Sequence, residues 1–129
     1  MPLPGFAHVA QPDFHGTRAP GESEEEFSAR LAAELDGFIQ AQPAESVAAF
    51  FAEPVSFSAG LMVPPSDYFP RIAAVLDAHG VDFVADEVIT GFGRTGNLFG
   101  CETLALKPDH CVIAKAITGG YFPLSAIAI

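Results

Sequence analysis

The chain has no tryptophan, two cysteines, two lysines, and only six Lys and Arg in all against 16 Asp and Glu in 129 residues. The resulting net charge of −10 argues against a nucleic-acid partner, because a phosphate backbone needs a basic surface. It equally disfavours an anionic membrane surface. No apolar run approaches the roughly 20 residues that a membrane-crossing helix needs. Cys101 and Cys111 are too few for a disulfide framework and are not spaced as C-x-x-C. Met1-Pro2-Leu3-Pro4-Gly5 lacks the basic stretch and following apolar run of a secretory leader. A reducing, cytoplasmic setting is therefore expected, with no nucleic acid and no membrane.

What remains is globular in composition: half the residues are hydrophobic and 17% are charged, enough for one domain at most. Residues 1–21 are punctuated by proline and glycine and read as an irregular lead-in. Residues 22–129 read as an α/β core. Ser23 followed by Glu26 is a capping box, and Phe27, Leu31, Leu35, Phe38 and Ile39 place one apolar face on a helix over Glu24–Gln40. The run Glu24-Glu25-Glu26 is the solvated start of that helix. Residues 47–52 read as a short buried strand. Ser66-Asp67 is expected to cap a second helix, with Ile72, Val75 and Leu76 as its buried stripe and Gly80 just past its end. Strands are expected at 81–85, 111–114 and 124–129. Unbroken apolar strands alternating with helices indicate a parallel sheet flanked by helices, and ligands in such sheets sit beyond the carboxyl ends of the strands.

Those ends carry a pattern. The first strand runs into Glu53, the second into Asp86-Glu87 and the third into Lys115. An acid at a strand end can be no more than the first solvated residue, and Glu53 and Glu87 are each open to that reading. Lys115 is harder to dismiss, because it follows Cys-Val-Ile-Ala and precedes Ala-Ile. The only other lysine, Lys107, lies beside Pro108 in a surface loop. A buried ammonium costs several kcal/mol unless paired or deprotonated, and a neutral lysine amine is what Schiff-base chemistry requires. A desolvated Asp86 would need a cation opposite it, and a protonated pyridine nitrogen would serve.

Residues 91–96 also fit G-x-G-x-x-G, but the context is wrong for a dinucleotide. That fingerprint sits in the first turn after a strand and opens a helix, with an acid about 20 residues on. Here Glu87 to Thr90 intervene, Asn97-Leu98-Phe99-Gly100 is a poor helix start, and Lys115 stands at the next strand end. The glycines are better read as letting the backbone turn sharply beside a flat ligand or a partner subunit.

Taken together, "FFAEPV", "VPPSDYFPRIAAVLDAHGV", "DFVADEVITGFGRTGNLFGCE" and "LKPDHCVIAKAITGGYFPLSA" resemble the class III (omega) aminotransferases, pyridoxal 5'-phosphate (PLP) enzymes of fold type I. The resemblance covers essentially the whole chain. Its most specific part is D-E-V-x-T-G-F-G-R-T-G with a lysine 29 residues after the Asp. The resemblance implies that Lys115 carries the Schiff base to PLP and shuttles the substrate proton, that Asp86 pairs with the pyridine nitrogen and that Val88 packs on the ring. Glu53 and Arg94 match the family's motifs without an assigned step. Ser58 stands where several members that use glutamate or 2-oxoglutarate carry Glu, and Ile89 where some carry Gln. Both departures favour the amine–pyruvate and β-alanine–pyruvate branch.

The family's phosphate-binding segment and its small domain have no counterpart here. The resemblance therefore implies an incomplete part of the PLP-binding large domain, inactive alone. The whole enzyme would be a homodimer passing an amino group between an amine or ω-amino acid and a 2-oxo acid such as pyruvate. Another PLP reaction, an aminomutase or racemase, and a non-catalytic truncated remnant remain as alternatives.

Overall fold

The structure is a computed structural model that describes residues 3–129; Met1 and Pro2, which open the expected lead-in, lie outside the described residues. Helix α2 (Glu24–Gln40) forms as its sequence dictates. Ser23 Oγ accepts from the Glu26 N–H at 3.2 Å, and the Glu26 carboxylate accepts from the Ser23 N–H at 2.9 Å, satisfying two donors that a helix start otherwise leaves unpaired. Phe27, Leu31, Leu35 and Ile39 are buried along one stripe.

Helix α3 (Tyr68–His79) ends at Gly80, whose left-handed backbone closes the last turn. Asp67 precedes α3, but it does not cap the helix with its side chain. Its carboxylate instead accepts from Ser28 Oγ at 2.8 Å and Arg71 Nε at 2.7 Å. The acid thus ties the start of α3 to α2, because those two donors outcompete the backbone N–H groups for it. The lead-in also departs from expectation. Asp13 Oδ1 accepts from the Gly16 N–H at 2.9 Å and starts the single turn α1 (Phe14–Thr17). Phe14 is thereby buried edge-on to Phe27, ring centroids 5.5 Å apart. One local cap overrides the proline and glycine around it.

Four strands make one sheet in the order β1 (Ala49–Ala52), β2 (Asp82–Asp86), β3 (His110–Ile113), β4 (Ala126–Ala128). The first three are parallel, and β4 runs antiparallel to β3. A parallel return needs a long crossover, usually a helix. The link from β3 to β4 has only the 3₁₀ turn Lys115–Thr118, so the chain doubles back instead. Phe83 of β2 stacks on Phe69 of α3 at 5.8 Å and meets Phe50 of β1 at 5.9 Å, which sets the helix-covered face of the sheet. Phe51, pointing the other way along β1, is 58% exposed.

Phe27, 0% exposed, is expected to cost about 3–5 kcal/mol on replacement by alanine, measured by urea unfolding. Hydrogen bonds from Arg30 first, and from the Ala19 N–H, hold the Glu22 carboxyl at about 2 instead of 4.5. The stability this contributes is full above pH 4.5 and is lost as pH falls toward 2. Melting temperature should therefore fall less steeply across that window in Glu22→Gln than in the parent; parallel curves would refute the assignment.

Candidate active site

The parallel register brings the three strand ends to one edge. Ala52 pairs with Ala85 and Asp86 with Val112, so Glu53 follows beside Asp86, and Lys115 lies just beyond Val112. Glu87 extends the ladder by donating its N–H to Val112 O at 2.9 Å. Alternation along the strand then sends Phe83, Ala85 and Glu87 to the helix face and Val84 and Asp86 to the other.

The two adjacent acids consequently meet different surroundings. Asp86 is half-buried; its Oδ1 accepts from the Val88 N–H at 3.0 Å, and its Oδ2 has no hydrogen-bond partner among the described residues. Val88 is half-buried beside it. Glu87 is 0% exposed, which decides against the solvated strand end its position had left open. Its Oε1 accepts from the Cys101 N–H at 2.7 Å, and its Oε2 accepts from the Gly100 N–H at 2.9 Å and from Thr90 Oγ1. The signal was available in the strand parity: of two consecutive acids, one must face the packed layer.

Lys115 differs from expectation in another way. Its sequence neighbours are apolar, yet it is exposed. Ala114 is fully extended, and Lys115 then adopts φ 49°, which turns the chain off β3 into the 3₁₀ turn and swings its side chain away from the layers that would bury it. A non-glycine residue in the left-handed region carries strain, and such strain clusters at functional sites. The Lys115 amino group has no hydrogen-bond or ion-pair partner among the described residues.

Glu53 and Arg94, left without a step by sequence, have local contacts. The Glu53 carboxylate accepts from Ser56 Oγ at 2.9 Å and from the Phe57 N–H at 3.3 Å, fixing the turn after β1. The Arg94 guanidinium lies 6.0 Å from the Phe57 ring centroid, a cation–π contact that bridges that turn and the glycine-rich loop. That loop leads to α4 (Gly100–Thr103), a single turn, and not to the long helix a dinucleotide would need. Phe92, Gly93 and Gly96 take positive φ angles of 61°, 95° and 99° in it. Burial first, and then Glu87, push the Cys101 thiol up; burial likewise raises Cys111, so neither is a ready nucleophile.

Set beside known proteins, residues 2–129 match the family described as aminotransferase class-III. The chain belongs to that family. This aminotransferase chain is 47% identical over 129 residues to gamma aminobutyrate transaminase 2 of Solanum lycopersicum, covering all of this chain and 28% of the relative. It is 44% identical over its whole length to vanillin aminotransferase of Capsicum annuum, again 28% of that protein. The omega transaminase from Pseudomonas jessenii in complex with PMP superposes with a TM-score of 0.97 at 44% identity, over 100% of this chain and 28% of that one. A transaminase solved with L-ala gives 0.97 and 44%, over 100% and 30%. The fold type I architecture and the mixed, mainly parallel sheet are thus those of the transaminases. The chain spans less than a third of the length of each of these proteins.

A Cβ at Gly100 would stand 2.8 Å from Thr90 Cβ and 3.1 Å from Pro54 Cβ, closer than packed carbons sit. Gly100→Ala must displace the wall that holds Glu87, at a cost of about 1–3 kcal/mol. The urea midpoint should fall accordingly, and an unchanged midpoint would contradict this packing.

Proposed function

We propose that this chain is the cofactor-facing part of the large domain of a PLP-dependent transaminase. The observation that carries the reading is the single sheet edge on which Asp86 and Lys115 stand. One carboxylate oxygen is unengaged there, and one amino group is unengaged on a strained turn. This donor set fits the cofactor: an amine for its carbonyl, a carboxylate for its pyridine N–H and an apolar side chain for its ring. When bound, PLP supplies an electron-accepting ring that makes the proton on the substrate carbon removable.

The chain's own residues do the rest. Lys115 Nζ would hold the cofactor through its carbonyl carbon, and its amine is the group of this chain placed to move a proton at the substrate carbon. Asp86 Oδ2 would accept the pyridine N–H and keep that nitrogen protonated, while the Val88 N–H orients the carboxylate through Oδ1. Val88 would cover one face of the ring. Surfaces from the remainder of a longer protein, in a homodimer, would supply the cover that Lys115 lacks here. The amino group passes between an amine or ω-amino acid and a 2-oxo acid such as pyruvate. Support comes from the similar proteins named for γ-aminobutyrate and vanillin and from those solved with L-ala and PMP.

Borohydride reduction in the presence of PLP, followed by peptide mapping, should place the pyridoxyl group on Lys115; a label confined to Lys107 overturns the assignment. In the whole enzyme, Asp86→Asn keeps the shape and removes the charge. The loss of one buried charge-assisted contact lowers the rate on the order of 10²- to 10³-fold. Transamination within a few-fold of the parent would show that Asp86 is not the ring's partner.

A further inference from the structure

Glu87 is a fully buried acid that the proposed chemistry does not use. We infer that it is the positioning residue for Asp86 and Val88: its carboxylate ties the loop over residues 88–101 back onto the end of β2. The inference rests on the reading of Asp86 as the cofactor's ring partner.

The loop's other side-chain contacts lie on its exposed side: Arg94 over Phe57, and Thr95 and Asn97 to Thr103 Oγ1 at 2.7 and 3.1 Å. Leu98 is 56% exposed, Gly93, Arg94, Gly96 and Asn97 are exposed, and the half-buried Phe92 and Phe99 meet edge-on at 5.6 Å. Glu87, by contrast, gathers both ends of the segment. Thr90 Oγ1 reaches it from the first turn, and the Gly100 and Cys101 N–H groups reach it from the start of α4, at 2.9 and 2.7 Å. Its main chain is fixed on both sides as well, the N–H to Val112 O and the carbonyl from the Gly91 N–H, each at 2.9 Å. Val88 is the next residue, and its N–H is the group that orients Asp86 Oδ1. One peptide unit therefore separates the anchor from the contact it sets. No apolar side chain can replace this anchor, because two buried backbone donors would be left unpaired. Glutamine cannot satisfy it either: its amide must turn an NH₂ toward one of the two N–H groups, which loses that bond.

Amide hydrogen exchange on the full chain without cofactor tests this directly. In Glu87→Gln, exchange at Val88, Gly100 and Cys101 should quicken by about 10- to 100-fold, while the amides of Phe83 to Ala85 and of α2 keep their parent rates. A uniform acceleration of all amides would make Glu87 a general stabiliser and overturn the inference. Acceleration at Gly100 and Cys101 with Val88 unchanged would overturn it too, because the anchor would then not reach Asp86. Thr90→Val removes one donor at nearly constant shape and should give the same local pattern more weakly. If Glu87→Gln fails to fold, the Thr90→Val pattern decides, Val88 accelerating locally in support and not at all in refutation. PLP labelling of the parent is read separately: an unlabelled Lys115 with the exchange pattern intact refutes the cofactor reading and leaves the hold of Glu87 on Asp86 standing.

Discussion

The candidate site depends on the parallel register of β1, β2 and β3. Parallel strands linked by long connections bring their carboxyl ends to one edge whatever the loops between them do. The register is locked by more than the ladder. Asp109, just before β3, accepts from the Phe83 N–H with its carboxylate at 2.7 Å and donates its own N–H to Phe83 O at 2.9 Å. That two-way clasp leaves β3 no freedom to slip by a residue, and a one-residue slip would exchange the faces of every side chain. It also fixes how far beyond Asp86 the chain turns at Lys115.

Given that register, side-chain alternation divides the work between the two faces. The helix face takes Phe83, against Phe69 and Phe50, and carries the same packing outward as Ala85 and then Glu87. An acid can occupy that last buried position only because backbone donors are folded onto it. Among the described residues no helix covers the opposite face at β1, and Phe51 stays exposed there. Asp86 stands on this second face with one oxygen engaged. Two neighbouring acids thus have opposite fates for a single geometric reason: a strand turns consecutive side chains to opposite sides.

The features legible in the sequence are those that local chemistry decides. The capping box of α2, its apolar stripe, the stop at Gly80 and the three strand ends required nothing beyond spacing and residue type. The failures share a cause, which is competition from partners distant in sequence. Asp67 looked like a cap and became a brace, because Ser28 is 39 residues away in the chain but 2.8 Å away in space. Glu87 stayed open to a solvated reading, because the donors that bury it arrive 13 and 14 residues later. Lys115 looked buried, because a one-dimensional reading of apolar neighbours cannot register a left-handed turn at the lysine itself.

That turn connects the strand's geometry to the chemistry proposed for its end. A lysine continuing β3 in extended conformation would point to one face of the sheet, into packing on one side or onto the sheet's open surface on the other. With φ at 49° it leaves the strand just past the edge where Asp86 stands. The acid and the amine are thereby offset along the edge instead of facing each other, and no ion pair joins them among the described residues. The proposed cofactor would call on the two groups separately, the acid for its nitrogen and the amine for its carbonyl carbon. A direct Asp86–Lys115 pair would neutralise the acid and occupy the amine. The left-handed turn at Lys115 thus leaves both the Asp86 Oδ2 and the lysine amine without a partner among the described residues.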